Sequence, residues 1–189
     1  MVASSPKKAN VKYRIAVLDS RRGRSLSIRF QTYSDFLELV RCRKREYKIG
    51  MPANDLHYDA VVTALVADGW PITHDPLTLR IGDRELYVDL AAERKGEFTE
   101  EIAVRIAVEI QSLLKQSEVS DLHTALGQYS NYRTVLIRQQ PDRPLYLAIT
   151  RETFDGIFSE PLGQLARSDL NVLLLVFDSH EKKEISWKS

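Results

Sequence analysis

The chain holds one cysteine, Cys42, among its 189 residues. That excludes an intramolecular disulfide and a cysteine-rich zinc cage, and it makes a reducing cytoplasm the expected location. No apolar run approaches the roughly 18 residues that a membrane helix needs. The first thirty residues are basic and polar, without the apolar segment of a secretory signal. There is no Gly-rich phosphate loop, nucleophile elbow or Cys/His pair, which argues against kinases, α/β-hydrolases and cysteine peptidases. His57, His74, His123 and His180 are scattered without zinc-ligand spacing. Internal repeats and low-complexity tracts are missing too, so the chain reads as a globular protein of one ordinary domain with an appendage.

What is present is divided by charge. The net charge is +1, yet residues 1–50 carry thirteen Lys or Arg against four Asp or Glu, a balance of +9. Residues 51–189 carry fourteen against twenty-two, a balance of −8. A basic arm can supply sequence-independent phosphate affinity and suits a nucleic-acid partner. The competing reading is a solvated or disordered extension, or residues added by a start codon placed upstream of Met51.

Within the arm, Val11–Leu18 and Ser25–Phe30 form a hairpin pattern around Arg21-Arg-Gly-Arg24, and Tyr33–Arg43 is helical in spacing behind a Ser34 cap. Beyond Met51, Asp55–Asp68 places Leu56, Ala60, Val61, Ala64 and Leu65 on a helical face that Gly69 closes. Trp70–Thr73, Leu77–Ile81 and Glu85–Leu90 follow as short strands, separated by Pro76 and Gly82-Asp83, in an expected antiparallel meander. The run from Ile102 to Leu114 favours a strand through its β-branched residues. A helix from Ser117 or Ser120 to Arg138, a strand over Leu145–Ile149, a helical segment with Phe154, Ile157, Phe158 and Leu165, and strands over Val172–Phe177 and Glu184–Trp187 complete the order. That order predicts an α/β domain, a mixed central sheet flanked by helices.

Asp89 ends the strand-like run Glu85-Leu-Tyr-Val-Asp, and Glu109 and Gln111 share one face of Arg105-Ile-Ala-Val-Glu-Ile-Gln. Two carboxylates on neighbouring strands suit a hard divalent cation, Mg²⁺ or Mn²⁺, that polarises phosphate and activates water. Glu109 is the most specific of the set, because an acid inside Ile-Ala-Val-Glu-Ile is costly to bury unless it is paired or bound to a cation. Its competing role is a solvent-facing residue on a half-exposed strand. Asp59, on the first helix, is within reach of the same sheet edge. Gln128 and Tyr132 lie four residues apart, one above the other on a helix, and with Gln111 can hold phosphate oxygens or orient a water. The competing role for Tyr132 is a core aromatic with a satisfied hydroxyl.

From Met51 onward the chain closely resembles the XisH family, the element excision controlling factors of cyanobacteria. The resemblance is carried in order by Met51-Pro-Ala-Asn-Asp, Asp68-Gly-Trp-Pro-Ile-Thr-His-Asp-Pro-Leu77, Leu86-Tyr-Val-Asp-Leu90, Ile106-Ala-Val-Glu-Ile110 and Ala125-Leu-Gly-Gln-Tyr129. It implies a restriction-endonuclease-like fold of the PD-(D/E)XK type, whose downstream Gln-x-x-x-Tyr motif is matched by Gln128-Tyr-Ser-Asn-Tyr132. By position, Asp59 would be the acid of the first helix, with Asp89 and Glu109 as metal-binding acids. Gln111 departs from the pattern, which places Lys there. An amide brings no positive charge, and Lys115 in the adjoining turn is the available substitute. Ala91 stands where Gly is expected.

The resemblance further implies a role in site-specific excision of a DNA element, beside a recombinase and a companion factor, XisI. DNA, a XisI-like protein and a site-specific recombinase are thus the expected partners, and a homodimer is the assembly to test. Two functions compete: a metal-dependent endonuclease or DNA-processing accessory, and a non-catalytic regulatory subunit that binds XisI or the recombinase. Residues 1–50 lie outside the resemblance.

Overall fold

The computed structural model describes residues 13–19, 24–30, 55–95, 103–113, 117–179 and 185–188. The chain divides into two compact units, Met1–Gly50 and Met51–Ser189. In the first, β1 (Tyr13–Asp19) and β2 (Arg24–Phe30) pair antiparallel with Tyr13 opposite Phe30 and Asp19 opposite Arg24. The expected hairpin is therefore present, shifted by one or two residues at its ends. The helix expected over residues 33–43 lies outside the described residues.

The second unit opens with helix α1 (Asp55–Ala67), which buries Ala60, Val61, Ala64 and Leu65 as its spacing predicts. It stops where Gly69 takes a φ of +83°, which lets the Trp70 N–H turn back and donate to the Leu65 carbonyl at 2.9 Å. Short strands follow: β3 (Ile72–His74), β4 (Leu77–Ile81), β5 (Arg84–Val88) and β6 (Leu90–Lys95). Next come β7 (Ala103–Ile110) and the long helix α2 (Glu118–Gln139). Then come β8 (Leu145–Thr150), the short helices α3 (Arg151–Asp155) and α4 (Pro161–Asp169), β9 (Leu173–Phe177) and β10 (Ile185–Lys188).

Six strands form one mixed sheet in the order β10-β9-β8-β7-β6-β3. The β7–β8 and β8–β9 pairs are parallel and the other three antiparallel. Parallel neighbours need crossover connections, and α2 and the α3–α4 segment supply them. The mixed α/β architecture with flanking helices is the one the element order predicts. No described helix is long and apolar enough to cross a membrane.

The meander is different from the expectation. Strand β3 skips its neighbour in sequence and pairs with β6, Ile72 opposite Ala92, while β4 and β5 form a separate two-stranded hairpin. The run expected over Glu85–Leu90 is broken at Asp89 into β5 and β6. β6 (Leu-Ala-Ala-Glu-Arg-Lys) has weak strand character in sequence; it forms because β3 and β7 pair with it on both sides.

Helix α2 lies across one face of the sheet. Ser117 caps it by accepting from the Ser120 N–H, Glu118 and Asp121 sit at the positive end of its dipole, and Arg138 sits at the other end. Leu122, Ala125, Leu126, Tyr129 and Leu136 face inward and are buried with Ala107, Leu147 and Leu174 of the sheet. Tyr129 ties three elements together: its hydroxyl donates to the Leu145 carbonyl and accepts from the Leu173 N–H, both at 3.0 Å. α1 packs against β3, β7 and β9, with His57 edge-on to Phe177. Buried Arg143 fixes the turn between α2 and β8. It donates to the Ile106 carbonyl at 3.0 Å, to Gln140 at 2.6 Å and to Glu93 at 2.5 Å.

Candidate functional site

The site forms where the β6–β7 ladder ends. Regular pairing stops at Leu90 opposite Val108, and beyond it the side chains of Asp89 and Glu109 each accept from a backbone N–H of the other strand. The Ile110 N–H donates to Asp89 Oδ2 at 2.8 Å, and the Asp89 N–H reaches Glu109 Oε2 at 3.4 Å. Each carboxylate thus takes over a backbone donor that the broken ladder leaves without its usual carbonyl. Period-two alternation then carries Gln111 onto the same side as Glu109. Its amide nitrogen donates to Glu109 Oε1 at 3.5 Å and to Gln128 Oε1 on α2 at 2.8 Å. Tyr132 lies one turn farther along α2, where the Gln128 side chain acts to hold its phenol down.

Four of the six residues expected at the site, Asp89, Glu109, Gln111 and Gln128, are thereby joined in one hydrogen-bonded run, and Tyr132 stands beside it. Asp59, the sixth, is half-buried on α1 directly after Tyr58, and its charge acts on the Tyr58 hydroxyl. Lys115 lies outside the described residues. Glu109 is 3% exposed, so the solvent-facing alternative does not hold. Tyr132 is half-buried against the core. Ala91 is fully buried in β6, where an ordinary strand conformation suffices.

Burial dominates the electrostatics. It pushes the Glu109 carboxyl up to about 9, the charge of Asp89 adds to the rise, and the bonds from the Asp89 N–H and Gln111 oppose it. Burial also raises Asp89, to about 6, against the pull of the Ile110 N–H and with a further push from the charge of Asp75. At neutral pH Glu109 therefore keeps its proton, which a divalent cation can displace. Burial lifts Tyr132 as well, helped by the charges of Glu109 and Asp89.

Asp75 and Tyr58 were not among the expected residues. Asp75 follows β3, and the β3–β6 pairing that sets His74 opposite Ala91 carries it alongside Asp89. The Tyr58 hydroxyl donates to the Asp75 carboxylate; burial first, and then that carboxylate, drive the phenol upward. In sequence Asp75 stands before Pro76 and reads as a turn residue, so only the strand pairing reveals its place.

As a donor set, Asp89 and Glu109 offer two neighbouring carboxylates. Among the described residues no three His, Cys, Asp or Glu side chains converge as a ready metal cage. Two carboxylates fit an ion such as Mg²⁺ that keeps several of its waters.

The XisH protein family matches residues 51–186. The chain belongs to the XisH family. Two solved structures share its fold over 71% of this chain and 99% of their own length, each with a TM-score of 0.64. One is an XisH family protein from Nostoc punctiforme PCC 73102, 38% identical, and the other an fdxN element excision controlling factor protein from Anabaena variabilis, 40% identical. No curated protein matches the chain. The XisH match begins at residue 51, where the second compact unit begins, and contains all six expected site residues.

Proposed function

We propose that this XisH chain is an element excision controlling factor that acts on DNA through a divalent-cation site at Asp89 and Glu109. The observation that carries the reading is the buried Glu109 carboxyl facing Asp89 across a broken strand ladder, an arrangement of like groups that a cation neutralises. Bound Mg²⁺ or Mn²⁺ would supply phosphate polarisation and an activated water. Asp89 and Glu109 bind the ion, while Gln111, Gln128 and Tyr132 orient a phosphate oxygen or a water. Gln111 donates hydrogen bonds without positive charge, so strand cleavage is slow. The family role and the +9 arm support DNA, a XisI-like protein and a site-specific recombinase as partners.

Incubation of the protein with supercoiled plasmid and Mg²⁺ or Mn²⁺ tests the reading. Nicking is expected to fall by about a hundredfold or more in Glu109→Ala, on the scale of lost transition-state stabilisation, and to increase in Gln111→Lys. Equal cleavage by wild type and Glu109→Ala, or none by any of the three proteins, removes the endonuclease. A second reading then gains: a non-catalytic subunit, favoured by the uncharged Gln111 and by the −8 balance of residues 51–189. Its mark is co-purification with a XisI-like protein or a recombinase without metal-dependent nicking.

A further inference from the structure

Five arginines and no lysine stand between Tyr13 and Phe30, against the single acid Asp19. The β1–β2 register orders two of them. Arg14 lies opposite Arg29, and Ala16 opposite Ser27 and Leu18 opposite Ser25 share their face of the ribbon. Alternation gives the other face three apolar cross-strand pairs, Tyr13 with Phe30, Ile15 with Ile28 and Val17 with Leu26. Antiparallel ribbons commonly pack one face and leave the second for water or a partner, and composition assigns the second role to the arginine face. Like charges directly opposite each other cost stability, a cost that an anion bound beside both removes. Guanidinium forks match phosphate oxygens, which a run of arginine without lysine favours.

The shape of the face selects among phosphate polymers. Both aromatic residues of the hairpin fall on the apolar face, so the arginine face has none of the stacking rings by which proteins grip single strands. A two-stranded ribbon fits the wide major groove of B-form DNA, whereas the major groove of A-form RNA is too narrow for it.

We propose that the β1–β2 hairpin is a duplex-DNA contact, with its Arg14–Arg29 face along the major groove and the two arginines on backbone phosphates. The inference rests on the reading of DNA as a partner and is independent of a cation at Asp89 and Glu109. It gives the +9 arm a defined binding face in place of diffuse attraction.

Fluorescence anisotropy in EDTA tests it, with the full chain and a labelled mixed-sequence DNA duplex over a range of salt concentrations. The proteins compared are wild type, Arg14→Gln/Arg29→Gln, Arg14→Lys/Arg29→Lys and Lys7→Gln/Lys8→Gln. The glutamine pair is expected to make the slope of log K against log salt shallower by about two, one for each lost phosphate contact, and to weaken all duplex sequences alike. The lysine pair keeps the slope because it keeps the charge. Lys7→Gln/Lys8→Gln removes the same charge from outside the hairpin and keeps most of the wild-type slope. An unchanged slope in the glutamine pair, an equal loss in Lys7→Gln/Lys8→Gln, or an equal loss in the lysine pair overturns the arginine face and leaves DNA standing as a partner. Tighter binding of single-stranded DNA or duplex RNA by wild type overturns the groove assignment. Absence of DNA binding by wild type overturns the DNA reading and the proposal with it.

Discussion

Glu109 controls how the metal-free protein responds to pH. Its carboxyl rises from an ordinary 4.5 to about 9 in the folded chain, so the native state holds a proton that the unfolded state releases. Stability is then greatest below about pH 4.5 as far as this group is concerned, and it declines as pH rises toward 9. Asp89, raised to about 6, adds to the decline at its acidic end. Glu109→Gln removes the larger contribution while keeping a group of the same shape. Thermal melts in chelator should therefore show the variant close to wild type at pH 5 and higher by roughly 5–10 °C at pH 8, the shift that a few kcal/mol gives a domain of this size. A variant that melts below wild type at pH 8 would show that Glu109 is charged and satisfied in the native protein.

At the scale of elements, the turn between α3 and α4 depends on one close approach. Gly163 is buried in the first turn of α4, and a Cβ built there would lie 2.0 Å from the Ile157 carbonyl oxygen and 2.7 Å from the Phe158 Cα. Both are backbone atoms of the segment that carries buried Ile157 and Phe158, so the helix must move away to admit even a methyl group. Gly127, midway along α2, is the converse. A Cβ there meets nothing within 4 Å, and no positive φ calls for glycine. Urea denaturation should find Gly163→Ala destabilising by about 1–3 kcal/mol, as overpacking does. Gly127→Ala should be stabilising by up to about 1 kcal/mol, the helix-propensity difference. Reversed signs would contradict the packing at both positions. The helical segment expected between β8 and β9 is two helices for the same reason. The chain bends through Gly156–Glu160 before Pro161 starts α4, and Gly163 seats α4 against that bend.

The whole molecule joins a +9 unit to a −8 unit. The second unit alone corresponds to nearly the full length of two solved XisH relatives, so residues 51–189 are expected to fold without the first. An acidic body is a poor unaided ligand for phosphate, and in the proposed DNA-binding role the basic unit would supply the counter-ion release that drives sequence-independent binding. Removal of residues 1–50 should weaken DNA binding and flatten its dependence on salt, measured as the slope of log K against log salt concentration. Metal binding at Asp89 and Glu109 should be unchanged. Equal affinity and slope with and without residues 1–50 would assign DNA contact to the XisH unit.

Much of the site was legible in the residues alone because its rules are local. Side chains two apart on a strand share a face, which paired Glu109 with Gln111. Residues four apart on a helix stack, which paired Gln128 with Tyr132. An acid within Ile-Ala-Val-Glu-Ile declared itself costly before its burial was known. The charge division and the family likeness were equally open to reading, and together they determined the family, the α/β class and the two carboxylates. Strand partnership was not legible. Local pattern cannot say that β3 passes over the hairpin β4–β5 to join β6, since that choice depends on which strand offers a paired edge and a buried face. The break at Asp89, the bonds that tie the Asp89 and Glu109 carboxylates to the opposite strand, and the arrival of Asp75 and Tyr58 near Asp89 all follow from that pairing. The sequence determined which acids the protein has, and the tertiary structure decided which of them stand together, because contact between strands is settled by burial and hydrogen bonding across the sheet.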